Sequence, residues 1–92
     1  MNNYEAVVIL SQTISDEAKV AFAERMKELI VTDGELTNVD EWGKKTLAYE
    51  IKKQKEGFYI LFTFAVKPEV ISEIDRVLGL DEAVLKHMII KK

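Results

Sequence analysis

Phe58-Tyr59-Ile60-Leu61-Phe62-Thr63-Phe64-Ala65-Val66 is the most hydrophobic run of the chain. Phe58, Ile60, Phe62, Phe64 and Val66 alternate with Tyr59, Leu61, Thr63 and Ala65, and period-two alternation places successive side chains on opposite faces of a β-strand. The first set is bulky and wholly apolar, so it is assigned to the main core. The second set is smaller or amphipathic and faces the other way. A strand that is largely apolar on both faces sits inside a sheet, with cover on both sides or close to it.

Just upstream, Gln54 to Gly57 reads as a turn with Gly at its end, so the segment before it folds back as a hairpin partner. That segment, Leu36 to Lys53, reads as a long, irregular strand. Gly43 interrupts it, and a lone Gly inside a strand pattern marks a bulge or bend. Beyond Gly43, Leu47, Tyr49 and Ile51 share one face, while Thr46, Ala48, Glu50 and Lys52 share the other. Downstream, Lys67-Pro68 opens a helix with Pro at its first position, where the missing N–H costs nothing. Val70, Ile71, Ile74, Val77 and Leu78 form its apolar stripe, and Gly79 ends it. Asp81 to Ala83 connects to a last strand, Val84 to Lys91. Leu85, His87 and Ile89 are assigned to its core face, and Lys86, Met88 and Ile90 to the other.

At the N-terminus, Tyr4 to Leu10 is a short strand rich in β-branched residues. Tyr4, Ala6, Val8 and Leu10 share one face, and Glu5, Val7 and Ile9 the other, so it too reads as central. Ser15 is placed as the N-cap of a helix reaching about Asp33, with Asp16 and Glu17 in the first turn, where the helix dipole favours acids. Ala18, Phe22, Met26, Leu29 and Ile30 recur at helical spacing. Gly34 then stands where a left-handed residue closes a helix.

The element order is therefore β-α-β-β-α-β. It implies an α+β, ferredoxin-like βαββαβ domain spanning residues 1–92, a four-stranded antiparallel sheet with two helices on one face. The first and third strands are central in that topology, and they are the two richest in apolar residues. The sheet face without helices then presents Val7, Ile9, Tyr59, Leu61, Met88 and Ile90. An apolar patch of that extent marks a binding surface.

The 92 residues carry a net charge of −3, yet the charges are segregated. From Lys44 to Lys55, five lysines stand against Glu50 alone, which gives +4 and leaves −7 for the rest. Segregation of this kind marks an anion-binding surface. The bland alternative is that Lys on an edge strand only discourages edge-to-edge aggregation. There is no Cys, and His87 is the lone His, so a thiolate zinc site or a nucleophilic triad cannot be assembled. Acylphosphatases share the topology, but there is no Gly-rich loop with an Arg to hold an anion. No run approaches the roughly 20 apolar residues of a membrane span, and the first residues lack a signal-peptide pattern. The expectation is a cytoplasmic protein with no cofactor, no small-molecule substrate and no membrane partner.

The stretch Trp42-Gly43-Lys44-Lys45-Thr46-Leu47-Ala48-Tyr49 resembles the bacterial small-subunit ribosomal protein S-six family. That family shows a Trp or Leu, a Gly, two basic residues, a variable residue and Leu-Ala-Tyr. Tyr4-Glu5, the Ile51 and Lys53 step, Gly57-Phe58-Tyr59, Pro68 and Asp81 to Lys91 match it elsewhere, so the resemblance covers nearly the whole sequence. It departs at Asn2 and Asn3, where an Arg is frequent near position 2. It departs also at Lys44-Lys45, commonly Arg-Arg, and at Glu50, often Pro. Lys keeps the charge of Arg without its bidentate fork.

The resemblance implies a structural, non-catalytic protein of the ribosome. Such a protein binds the central domain (the platform) of small-subunit rRNA together with ribosomal protein S-eighteen. Lys44, Lys45, Lys52 and Lys53 are the expected phosphate contacts. Trp42 has two readings, base stacking and packing at the bend beside Gly43. Val7, Ile9, Tyr59, Leu61 and Met88 form the expected surface for the partner protein. RNA stacking on that face is disfavoured, because the third strand lacks the glycine-bearing aromatic motif of RRM domains. The competing hypothesis is a ferredoxin-like regulatory or interaction module that self-associates through its open sheet face.

Overall fold

A computed structural model describes residues Asn2–Lys92. Six elements follow in the expected order: β1 (Asn2–Ser11), α1 (Asp16–Thr32), β2 (Gly34–Ile51), β3 (Gln54–Val66), α2 (Pro68–Leu80) and β4 (Val84–Lys91). The strands form one sheet in the order β2-β3-β1-β4, with every neighbouring pair antiparallel. This is the ferredoxin-like α+β fold, with β1 and β3 central.

The core lies between the sheet and the two helices, and the alternation in β3 builds it. Ile60, Phe62, Phe64 and Val66 are buried, as are Tyr4, Ala6, Val8 and Leu10 across the β1 ladder. Phe22, Met26 and Ile30 of α1 and Ile74 and Leu78 of α2 close this layer from above. Phe22 meets Phe62 edge-on, with centroids 6.3 Å apart, a preferred aromatic geometry. Ala18, counted in the α1 stripe from its spacing, is exposed in the first turn. The Ser15 hydroxyl accepts from the Ala18 amide at 3.1 Å and so caps α1 as expected. The Arg25 guanidinium bonds the Asp81 carboxylate and ties α1 to the loop before β4.

Four local readings are corrected. First, Gly34 is not a left-handed cap: Asp33 ends α1 with φ −128°, and Gly34 is the first residue of β2. It is needed because a Cβ there would lie 2.3 Å from the Ala65 carbonyl oxygen and 2.4 Å from Val66 Cγ1. Second, Gly79 does not end α2, which continues through Leu80. Third, the hairpin turn is Lys52-Lys53, flanked by the Ile51–Gln54 pair, so Gln54 to Gly57 belongs to β3. Fourth, Leu85 is not on the core face. The β1–β4 register slips between Ile9 and Leu10, and a slip of one residue exchanges faces. Val84 therefore joins the main core, while Leu85 packs with Ile9 on the other side. His87 and Ile89 do face the helices, and His87 Nε2 lies 2.7 Å from the Asp75 carboxylate of α2.

Candidate nucleic-acid and partner interface

The candidate site is built by β2, whose register against β3 breaks three times. The first break lies between Leu36 and Asn38. The second lies between Glu41 and Gly43, where Gly43 takes φ +82°. That is the bend expected from the isolated Gly. It leaves Trp42 unpaired in the ladder and lets its ring stack on Tyr59, with centroids 6.3 Å apart and planes at 18°. The Trp42 indole N–H donates to Asp40 at 2.9 Å, and the ring stays 41% exposed.

The third break is larger. Thr46 pairs with Glu56 and Ile51 with Gln54, so residues 47–50 of β2 stand opposite Lys55 alone. The surplus chain folds over the sheet face that carries no helices. Leu47 is driven down to 8% exposure against Ile9 and Leu85, with Ile51 and Tyr59 packed beside them. Tyr49 turns outward, 58% exposed, and its hydroxyl accepts from Lys86 Nζ of β4 at 2.7 Å. The uniform apolar face of Leu47, Tyr49 and Ile51 expected from alternation is thus split by the bulge.

These contacts enclose an apolar groove of about 210 Å³ whose walls include Val7, Ile9, Leu47, Tyr59 and Met88. Four of the five residues expected to meet a partner therefore border one depression. Leu61 lies outside it, opposite Val7 and Asp40 in the ladders. Within the groove, Ile9 is a floor residue covered by Leu47 and Leu85, whereas Met88 is 50% exposed. Lys86, which borders the groove and holds Tyr49, was not singled out from the sequence. Its only sequence signal is a charge among the apolar residues of β4.

The four expected phosphate contacts fall in three places. Lys44 pairs with Phe58 and extends over its ring on the helix side, 5.9 Å from the centroid, where Lys19 sits at 3.9 Å. Lys45 lies on the opposite face, 5.7 Å from the Trp42 centroid. Lys52 and Lys53 form the hairpin tip. Charges on the helices neutralise one another locally. Lys19 pairs with Asp16, Lys27 with Glu24, and Arg76 with Glu73. The hydrogen bond from Arg76 holds the Glu73 carboxyl below its ordinary range. Among the described residues, none of Lys44, Lys45, Lys52, Lys53 and Lys55 takes part in an ion pair. Lys67, Lys86, Lys91 and Lys92 also stand outside these ion pairs, but Lys44 to Lys55 holds the densest run of such cations, on β2, its hairpin and the start of β3.

Comparison with known proteins agrees with this architecture. The family model for Ribosomal protein S6 matches residues 3–91. The small ribosomal subunit protein bS6 of Alkaliphilus metalliredigens is 46% identical over 91 residues, covering 99% of this chain and 97% of that one. Its namesake from Clostridioides difficile is 44% identical over 90 residues, covering 98% of each. The crystal structure of 30S ribosomal protein S6 from Thermotoga maritima superposes with a TM-score of 0.92 over 99% of this chain and 87% of that one. At 24% identity it is a match of fold. With its full-length family match and the βαββαβ sheet in the order β2-β3-β1-β4, the chain belongs to the ribosomal protein S6 family.

Proposed function

We propose that this chain binds small-subunit rRNA in the central domain (the platform) in concert with ribosomal protein S-eighteen. Family membership already makes it a structural, non-enzymatic ribosomal protein of the cytoplasm. The observation that carries the RNA reading is the set of unpaired lysines on β2 and its hairpin, on a chain that is otherwise acidic. Each such Lys can neutralise one phosphate and release its counterion, giving affinity that falls with salt. Trp42 has a further part in this reading, since an exposed indole can stack on an unpaired base. The groove beneath residues 47–50 supports the protein-partner half, with Val7, Tyr59, Leu61 and Met88 around or beside it and Ile9 as its floor. A net charge of −3 also fits a shared task, because the partner then supplies much of the positive potential.

The test is RNA binding to a central-domain transcript with the partner present, comparing wild type with Lys44→Glu/Lys45→Glu. We expect weaker binding and a log–log salt slope shallower by about 1.5, at roughly 0.7–0.9 for each phosphate no longer neutralised. Unchanged affinity with an unchanged slope would refute the electrostatic contact.

A further inference from the structure

The turn between β2 and β3 is made of two residues poorly suited to its backbone. Lys52 has φ 49° and Lys53 has φ 64°, and Ile51 pairs with Gln54 directly across them. A two-residue hairpin loop with both residues at positive φ is the type I′ arrangement, whose preferred sequence is Asn-Gly. The reason is steric, because in the left-handed region a Cβ crowds the following carbonyl oxygen. Gly escapes that contact, and Asn offsets it with a short side chain that bonds locally. Lys can do neither.

The fold recovers nothing from these side chains. Both are exposed, and among the described residues neither forms an ion pair or cation–π contact. Lys44 and Lys45, by contrast, lie over the rings of Phe58 and Trp42. Two like charges also sit side by side, where each raises the cost of the other. Strain, self-repulsion and absent packing thus coincide at one dipeptide. Backbone strain that local contacts do not reward is characteristic of positions kept for an external ligand.

Resting on the RNA-binding reading above, we propose that Lys52 and Lys53 are the principal phosphate contact of the chain, retained on a turn that is less stable for holding them. The ligand is a pair of neighbouring backbone phosphates, reached from the exposed hairpin tip. Lys44 and Lys45 are then secondary contacts.

The test uses two variants of the full chain. Lys52→Asn/Lys53→Gly relieves the strain and removes the charge. Lys52→Gln/Lys53→Gln removes the charge and keeps both Cβ atoms. Thermal unfolding is expected to give a Tm higher by about 5 °C for the first variant than for the second. Both are expected to weaken binding to the central-domain transcript, with the partner present, by at least tenfold. Their salt slopes should be shallower by about 1.5, and the Lys44→Gln/Lys45→Gln control should lose less affinity. Wild-type affinity and slope in the two turn variants would overturn the proposal, even with RNA binding by the wild type intact. Equal Tm values would overturn its strain component. Absence of wild-type binding would instead overturn the RNA-binding reading, and this proposal with it.

Discussion

Leu47→Ala is the substitution that tests most directly whether residues 47–50 fold over the sheet. The side chain is 8% exposed and lies on Ile9 and Leu85. Truncation to Ala removes the equivalent of three methylene groups, each worth about 0.8 kcal/mol when buried. That alone is about 2.4 kcal/mol. The cavity left behind adds little, because the space opens into the groove beside Leu47 and water can enter it. The expected cost is therefore about 2–3 kcal/mol, near the lower end for a buried Leu. For 92 residues, an unfolding entropy of about 2.1 cal/mol/K per residue makes each kcal/mol about 5 °C, so Tm should fall by about 10–15 °C. Tyr49 is the internal control. It is 58% exposed and held by the bond from Lys86, so Tyr49→Ala should cost less than about 1 kcal/mol. Urea unfolding with a shared m-value measures both. A regular strand would put Leu47 and Tyr49 on the same face with similar costs. Equal ΔΔG values, or a Leu47→Ala cost below about 1 kcal/mol, would refute the bulge.

Two further substitutions separate rival readings of single residues. Gly34→Asn should destabilise at least as much as Gly34→Ala, by about 1–3 kcal/mol, because either Cβ strikes the Ala65 carbonyl and Val66. Tolerance of Asn but not of Ala in a urea melt would mean that the position is a left-handed helix cap after all. Ser15→Ala should cost about 1 kcal/mol by loss of the hydroxyl that accepts from the Ala18 amide. Ser15→Asp should restore most of it, and equal stabilities for all three would remove the cap from the account of α1.

The functional outline was legible where it rests on composition and local pattern. The lysines from Lys44 to Lys55 are cationic wherever the chain puts them, and the resemblance of Trp42 to Tyr49 to one family is carried by residue identity. The three-way division of those lysines was not legible. Lys44 and Lys45 oppose Phe58 and Gly57, and consecutive residues of a strand point to opposite faces. Which face each one meets depends on the bulge at Trp42, a property of the pairing with β3.

The residues of β3 determine by themselves that it is a central strand with its bulkier face in the core, since alternation survives in any straight ladder. Ser15, Asp16 and Glu17 likewise determine where α1 begins, and Gly43 where β2 bends. Only the tertiary structure decides the rest. Leu85 changes face because β4 slips against β1. Gly34 is required by the backbone of β3, not by its own helix. The turn falls on Lys52-Lys53 because Ile51 pairs with Gln54, against the local preference of both lysines. Leu47 is buried and Tyr49 exposed because four residues of β2 must fit opposite one of β3. Side-chain periodicity is a local property, whereas register is set by cross-strand pairing, and each slip in register reverses what periodicity alone would say.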